Sequence, residues 1–288
     1  MDTGAVVDWF GAHARDLPWR RPGFSAWGTL VSEFMLQQTQ VSRVVPIVEA
    51  WLERWPTPAD LAAAPPAEVL RAWGRLGYPR RALALHACAT AIAERHGNRV
   101  PADVDQLLAL PGIGDYTARA IAVFAHGSRH PVVDTNVRRV LARAVTGVAQ
   151  PGVPNARRDL PAMAALLPDD LAAQRAFNAG VMEIGAVVCT ARTPRCGQCP
   201  LAPGCAWRAA GYPTADAPPA RRQARFEGSD RQRRGLVLAE LRASDVPVTE
   251  AELGAVVPDV AARDRVLAGL ATDGLAERAE GGWRLPGG

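Results

Sequence analysis

The chain has 288 residues, enough for one large domain or two to three smaller ones, and its composition of 48% hydrophobic but 6% aromatic residues favours helices over sheets. The formal charge of +4 is compatible with a polyanionic partner. All 33 residues in the lysine-plus-arginine count are arginine, so a Schiff base on a side-chain amine is excluded.

The amino terminus lacks the basic segment and the apolar core of a secretory signal. No run of about 18 apolar residues occurs either. We therefore expect a cytoplasmic protein without a membrane segment.

The first clear element is a helix over residues 27–39. Five apolar residues recur there at helical spacing, which predicts one buried stripe: Trp27, Leu30, Val31, Phe34 and Met35. Glu33 and Gln37 lie off that stripe, so the helix is predicted to carry a polar edge beside its apolar face.

The remaining chain continues mostly as helices separated by breaks that contain Pro or Gly. Helical patterns are predicted near residues 41–54, 58–63, 67–75, 81–96, 136–146 and 169–188. Residues 209–232 are rich in Pro, Ala and Arg and are predicted to be a linker. After it, residues 233–288 are predicted to form a small module that resembles a winged helix.

The segment Leu110-Pro111-Gly112-Ile113-Gly114 follows an apolar stretch and opens another helix at Asp115. Its two glycines would let the backbone approach a phosphate closely, and the first amides of the next helix would point at that phosphate. A plain turn between two helices is the alternative interpretation.

Four cysteines within seventeen residues are spaced C-x6-C-x2-C-x5-C: Cys189, Cys196, Cys199 and Cys205. A [4Fe-4S] cluster and a structural zinc are the two alternatives, and a single C-x2-C pair with outlying cysteines favours the cluster. The fifth cysteine, Cys88, lies in a helical segment and is predicted to be a buried thiol.

Several separated motifs resemble known families. Residues 110–118, residues 133–137 and the four cysteines are similar to the helix-hairpin-helix DNA glycosylase superfamily. Within it, the chain resembles MutY-type adenine glycosylases over residues 8–208, through Leu17-Pro18-Trp19-Arg20, residues 32–40, Leu76-Gly77-Tyr78, Phe177-Asn178 and residues 182–186.

The resemblance implies an all-α fold with a six-helix domain at residues 21–135, which contains the hairpin near 107–125. It implies an iron-sulfur domain built from residues 1–20 and 136–208, followed by the linker 209–232 and the module 233–288. We expect a monomer that binds double-stranded DNA with a mispaired or damaged base and contains a [4Fe-4S] cluster.

The resemblance also implies a reaction, the hydrolysis of the bond between adenine and its sugar where adenine faces 8-oxoguanine or guanine. Cleavage of such a bond needs a proton for the base and a fixed carboxylate for the sugar cation. By resemblance Glu33 donates the proton and Asn136 orients Asp134. Asp134 stays ionised and either stabilises the sugar cation or attacks it transiently. The alternatives are a solvated helix carboxylate for Glu33 and a helix cap for Asp134, which is compatible with catalysis.

Tyr116 occupies the position where strand-cleaving relatives carry their Schiff-base lysine, so the resemblance implies an intact strand with an abasic site. The tyrosine either hydrogen-bonds Asp134 or the sugar phosphate, or it only packs the hairpin.

Further positions match the DNA-contacting residues of the family. By resemblance Gln38 and Tyr78 are wedges that fill the gap left by the flipped base, and Thr39 helps to read the opposite base. The others at the DNA are Leu76, Gly112, Gly114 and Thr117. Trp19, Arg20 and Glu183 match positions that line the adenine pocket, although Trp19 is also explained as core and Glu183 as an exposed helix residue.

The match has gaps. Most MutY enzymes carry a Nudix-like carboxy-terminal domain for which this chain is too short, and Thr135 and Pro79 replace the residues usual in the family. A thymine or uracil glycosylase of the same fold is the nearest rival, and a noncatalytic iron-sulfur regulator is the rival from another class.

A cluster of arginines is either a weak DNA contact or a solvated linker: Arg221, Arg222, Arg225, Arg231, Arg233 and Arg234.

Overall fold

A computed structural model describes residues 1–214 and 225–288, so the predicted linker arginines Arg221 and Arg222 lie outside the described residues. The elements of these residues are α1 (Thr3–His13), α2 (Ala26–Leu36), α3 (Val41–Arg54), α4 (Pro58–Ala63), α5 (Pro66–Trp73), α6 (Arg80–Arg95), α7 (Val104–Leu108), α8 (Asp115–Phe124), α9 (Thr135–Ala144), α10 (Ala156–Ala164), α11 (Leu171–Val187), α12 (Ala206–Ala209), α13 (Asp230–Ala243), α14 (Glu250–Val256), α15 (Val260–Thr272), β1 (Glu277–Ala279) and β2 (Gly282–Arg284). Within the described ranges, no helix combines the length and apolar character needed to cross a bilayer.

Short polar side chains begin many of these helices, because they accept the backbone N–H groups that the first turn leaves unpaired. Thr57 and Thr249 form capping boxes with Asp60 and Glu252. Aspartates cap α1, α7, α9, α11 and α15. The positions at which these helices begin can therefore be predicted from the local sequence.

The chain divides into two compact units. The first comprises Met1–Leu30, Pro101–Ala109 and the described part of Ile113–Pro219. Val6, Val140 and Phe177 are central to its core, where α1 and α9 both pack against α11. At Gly180 a Cβ atom would lie 2.8 Å from Val6 Cγ1, so the absence of a side chain lets α1 and α11 approach closely.

The second unit comprises Val31–Val100, Leu110–Gly112 and the described part of Ala220–Gly288. Helices α4 and α5 pack on α6. Trp73 is fully buried, and its ring meets that of Trp51 edge to face at 5.8 Å.

The carboxy-terminal module belongs to this second unit. Helices α13, α14 and α15 are followed by the antiparallel hairpin of β1 and β2, and Val248 bridges to Trp283. The module packs on α5, where Arg71 donates to the Ser244 carbonyl at 2.9 Å. Three helices and a hairpin wing agree with the predicted winged-helix-like module.

The fold is all-α apart from that hairpin, as predicted. The first predicted helix ends at Leu36 instead of residue 39 because Gln38 adopts a left-handed φ of 56°. Ser229 caps α13, which begins at Asp230, within the last residues of the predicted linker 209–232. Helices α1 and α10 were not predicted, and the predicted domain boundaries stay a prediction.

Candidate active site

Asp134 is fixed at the amino-terminal end of α9. Its Oδ1 accepts the backbone N–H of Val137 at 2.7 Å, and its Oδ2 accepts the side-chain amide of Asn136 at 2.8 Å. The predicted cap is thus present, and it holds the carboxyl in one orientation.

Opposing effects set the charge of Asp134. Burial raises its pKa above the usual value, while hydrogen bonds from Val137 and Asn136 and the nearby charge of Arg139 lower it. Each of these donors favours the ionised form. The environment therefore combines a desolvated carboxyl with donors placed to stabilise its negative charge.

Asn136 is itself held in place. Its Oδ1 accepts from Arg139 at 2.7 Å, and the same guanidinium donates to the Gly185 carbonyl at 2.6 Å and the Cys189 carbonyl at 2.7 Å. A Cβ at Gly185 would lie 2.7 Å from Asn136 Cβ, so the glycine allows α11 to contact the start of α9. Arg139 is 7% exposed and joins the Asp134 cap to the first cysteine of the cluster motif.

The segment before Asp134 is positioned from α11. Asn178 is fully buried, accepts the Val132 N–H at 2.9 Å and donates to the His130 carbonyl at 3.2 Å. Tyr116 packs against the same segment, in a small cluster that includes Val132. The packing interpretation of Tyr116 is therefore satisfied, and its catalytic role stays a prediction.

Glu33 lies on α2 and is 7% exposed, so the interpretation as a solvated carboxylate is wrong. Its neighbours Thr29 and Ser32 are 5% and 1% exposed. Of the predicted polar edge, Glu33 is buried like the apolar stripe, whereas Gln37 is half-buried. A buried carboxyl flanked by hydroxyl-bearing residues has the setting expected of a proton donor.

The predicted hairpin lies between α7 and α8. Gly112 has a φ of 76°, and a Cβ there would lie 2.9 Å from the Phe34 ring, so only glycine fits. Gly114 is exposed and precedes the first turn of α8, which leaves the amides at that helix end accessible to an anion. Thr117 is 3% exposed and acts as part of the packing of α8.

The two predicted wedge segments lie in the second unit. Gln38 and Tyr78 are exposed, and both have left-handed backbones, with φ of 56° and 47°. Thr39 donates its hydroxyl to the Leu76 carbonyl at 3.2 Å, which joins the two segments directly. The Leu76 side chain is 2% exposed and faces the protein.

Glu183 is 1% exposed and binds two arginines. Arg15 contacts it through Nε at 2.6 Å and Nη2 at 2.8 Å, and Arg20 donates to it at 2.8 Å. Burial alone would raise the pKa of Glu183, but the hydrogen bonds from Arg15 and Arg20 hold it at about 2. The interpretation of Glu183 as an exposed helix residue is therefore wrong. Trp19, which precedes Arg20 in the chain, is half-buried.

The four cysteines surround a common cavity at the end of α11. Cys189 follows that helix, Cys196 begins a 3-10 turn, Cys199 ends the turn, and Cys205 precedes α12. Burial, with a smaller contribution from the three other sulfurs, raises the pKa of the Cys199 thiol to about 11. A cationic metal group bound between the four sulfurs would stabilise their thiolate forms.

Arg143 holds the loop around this cavity. It is 3% exposed, donates to the Thr190 carbonyl at 2.7 Å and to Cys189 Sγ at 3.5 Å, and stacks on Trp207 at 4.7 Å. A buried cation beside a sulfur ligand offsets part of the negative charge of a thiolate-bound cluster.

The four cysteines line one shared cavity. A [4Fe-4S] cluster and a structural zinc both bind four thiolates, so this cavity is compatible with either group. The C-x6-C-x2-C-x5-C spacing, with a single C-x2-C pair and two outlying cysteines, favours the cluster. Cys88 is fully buried, as predicted, and is not among the residues that line this cavity.

Sequence reasoning missed four positioning residues: Arg15, Arg139, Arg143 and Asn178. Arg139 and Arg143 are one turn apart on α9 among buried apolar residues, a pattern that signals buried cations with fixed acceptors. Arg15 gave no comparable signal, because its partner Glu183 lies 168 positions away.

Comparisons with known proteins agree with this geometry. Residues 31–160 match the family described as HhH-GPD superfamily base excision DNA repair protein, and residues 189–205 match the iron-sulfur binding domain of endonuclease III. The chain is 58% identical over 284 residues to an adenine DNA glycosylase of Mycolicibacterium smegmatis, covering 98% of this chain and 95% of that protein.

Two further similarities concern a different base. The chain is 36% identical over 201 residues to a thymine/uracil-DNA glycosylase of Pyrobaculum aerophilum, covering 69% of this chain and 87% of that protein. A solved thermostable thymine-DNA glycosylase matches with a TM-score of 0.65 and 26% identity over 72% of this chain and 95% of that one.

Proposed function

Because the chain belongs to the adenine DNA glycosylase family of base excision repair, we propose that it removes adenine that faces 8-oxoguanine or guanine and leaves an abasic site in an intact strand. The observation that carries the proposal is the 58% identity across 98% of the chain. The family is enzymatic, so a noncatalytic regulator is not supported.

Glu33 is proposed as the group that protonates the departing base. As the bond between sugar and base breaks, the base gains electron density and the sugar becomes cationic. The burial of Glu33 supports this role because it places the carboxyl in a site shielded from solvent, where a bound base can receive a proton without competition from water.

Asp134 is proposed as the ionised carboxylate that stabilises the sugar cation until water adds to it. Its contacts with the Val137 N–H and the Asn136 amide support this role, because they fix the carboxylate before the charge develops. Asn136 acts through Asp134. The hydroxyl of Tyr116 is proposed to hydrogen-bond Asp134 or the sugar phosphate.

Cys189, Cys196, Cys199 and Cys205 are proposed to hold the [4Fe-4S] cluster, which would cross-link residues 189–205. Arg139 and Arg143 connect this loop to α9. The chain's own residues carry out the proposed base removal.

DNA is the partner of this protein. The roles of individual residues in recognising the DNA are proposed. Gln38 and Tyr78 are proposed to fill the space of the flipped nucleotide, with Leu76 supporting them. Their exposure and left-handed backbones support this. Thr39 is proposed to help read the base opposite adenine. We further propose that the protein acts as a monomer in the cytoplasm, on nucleoid DNA.

The hairpin and the adenine contacts complete the proposed interface. The exposed Gly112 and Gly114 support a backbone contact with a DNA phosphate, to which buried Thr117 contributes by packing. Trp19, Arg20 and Glu183 are proposed to contact adenine. Glu183 would do so as a carboxylate already fixed by arginine.

Removal of thymine or uracil opposite guanine is the second candidate, favoured by the thymine/uracil-DNA glycosylase that shares 36% identity with this chain. That relative covers 69% of the chain, whereas the adenine-specific relative covers 98%. The wider match supports adenine.

The test uses purified protein with its cluster and a labelled duplex containing adenine opposite 8-oxoguanine. We expect strand breaks only after alkali, since the chain has no lysine that could cleave the strand through a Schiff base. Glu33→Gln should lower the excision rate by about 100-fold or more while DNA binding persists. Glu94→Gln, at an exposed position on α6, is the matched control. Full activity of Glu33→Gln would refute the proposed proton donor.

A further inference from the structure

Arg81, near the start of α6, binds the carboxyl end of α2. Its Nη1 donates to the Phe34 carbonyl at 2.8 Å, to the Met35 carbonyl at 3.1 Å and to the Gln37 carbonyl. The last carbonyls of a helix have no partner within the helix, and a cation there also meets the negative end of the helix dipole. Arg81 thereby caps α2 where the Gln38 segment begins.

The same side chain also binds the second wedge segment. Its Nη2 donates to Thr39 Oγ1 at 2.8 Å and to the Gly77 carbonyl at 3.1 Å. Its guanidinium carbon lies 5.4 Å from the centre of the Tyr78 ring. One planar guanidinium therefore contacts both segments that carry exposed, left-handed residues.

Those backbones need such support. A left-handed conformation is unfavourable for a residue with a Cβ and persists only where the surroundings impose it. Gln38 and Tyr78 both adopt it. The carbonyls of Gln37 and Gly77, each one residue before them, are the ones that Arg81 binds.

The chemistry of arginine matters at this position. Burial lowers the pKa of Arg81 to about 10, so the guanidinium stays charged at neutral pH. Its ring contact with Trp73 at 5.3 Å and its several acceptors need a planar group with donors in a fixed fork. Lysine keeps the charge but supplies one ammonium that cannot reach all five acceptors.

We propose that Arg81 is a positioning residue that couples the Gln38 and Tyr78 segments, so that both enter the DNA as one preformed wedge. The inference rests on the proposed function of these two residues as wedges. It assigns to Arg81 no contact with the reacting atoms.

The test measures base flipping apart from chemistry and from general DNA affinity. The duplex carries 2-aminopurine at the target position opposite guanine, and its fluorescence rise on mixing with the holoenzyme reports unstacking. Arg81→Lys should slow this rise by about 10-fold or more, because several charge-assisted hydrogen bonds are lost. Affinity for a fully paired duplex should change by less than about 2-fold.

The matched control is Arg95→Lys, the same chemical change at an exposed position on the same helix. An unstacking rate for Arg81→Lys equal to that of Arg95→Lys would overturn the inference. An equal loss of unstacking rate and of duplex affinity would overturn it too, since that pattern marks general damage.

Thr39→Val decides the matter if Arg81→Lys does not fold. It removes the acceptor for Arg81 Nη2 and the bond to Leu76 but keeps the buried charge. We expect a slower fluorescence rise, and an unchanged rise would overturn the coupling. Because Thr39 also has a proposed contact with the opposite base, Thr39→Val is combined with Tyr78→Ala: the two losses in log rate should be less than additive if Thr39 acts on the Tyr78 segment, and fully additive losses would overturn the coupling. Tyr78→Ala tests the wedge role itself. If it leaves unstacking unchanged, the proposed wedge fails, whatever Arg81→Lys does.

Discussion

The side-chain amide of Asn136 donates to Asp134 Oδ2 across 2.8 Å. This bond opposes the effect of burial, which raises the pKa of Asp134. Asn136→Ala should therefore raise that pKa further. Because the reaction needs the ionised carboxylate, the acidic limb of the rate profile should move to higher pH, and the plateau rate should fall about 10-fold or more.

Single-turnover excision rates measured across pH check this prediction. Asn155→Ala is the control, since Asn155 is exposed at the start of α10. An acidic limb at the wild-type pH in Asn136→Ala would show that Asn136 does not act through the charge of Asp134.

Glu183→Gln should destabilise the protein by about 1–2 kcal/mol, because it removes the buried carboxylate that binds Arg15 and Arg20, whose side chains are 39% and 22% exposed. Arg15→Met should cost less, because Arg20 still pairs with Glu183. Urea unfolding at neutral pH measures both differences, and Glu94→Gln should unfold like the wild type. A Glu183→Gln protein as stable as the wild type would contradict the burial of this ion pair.

The Glu183 ion pair also predicts a dependence on pH. Its pKa is held at about 2 in the folded protein, below the usual value of 4.5. A depressed pKa stabilises the fold above the unfolded value, and that stabilisation is lost as the pH falls from about 4.5 towards 2. The stability difference between wild type and Glu183→Gln should therefore shrink over this range. A constant difference would contradict the assignment.

Cys199→Ala should abolish the broad absorption near about 400 nm that a [4Fe-4S] cluster gives and should lower the iron content. Cys88→Ala should keep both, because Cys88 is buried outside the cysteine cavity. Purified wild-type protein that contains zinc and lacks this absorption would contradict the cluster.

Part of the fold and site could be predicted from local sequence. The helix starts, the Asp134 cap and the C-x6-C-x2-C-x5-C spacing depend on neighbouring residues, so they could be found without a structure. The ion pair of Arg15 with Glu183 and the contacts of Arg81 with the end of α2 depend on residues far apart in the chain. The end of α2 was also predicted wrongly. The left-handed backbone of Gln38 ends this helix, and Arg81, which lies far along the chain, binds the carbonyl just before it.

The arginines that follow residues 215–224 are predicted to affect how DNA affinity depends on the salt concentration. Arg233 already pairs with Asp230, and Arg234 pairs with Asp273. Arg225 is exposed. Arg225→Gln should flatten the slope of log affinity against log salt by about one unit, whereas Arg234→Gln should change it less. Fluorescence anisotropy with a paired duplex measures the slopes, and equal slopes for Arg225→Gln and wild type would exclude this DNA contact.

The identity of the released base tests the central proposal most directly. The holoenzyme is incubated in parallel with duplexes that carry adenine opposite 8-oxoguanine, adenine opposite guanine, thymine opposite guanine and uracil opposite guanine, and the free bases are identified by mass spectrometry. We predict free adenine from the first two duplexes and no free base from the others. Free thymine or uracil without adenine would contradict the assignment and favour the second candidate.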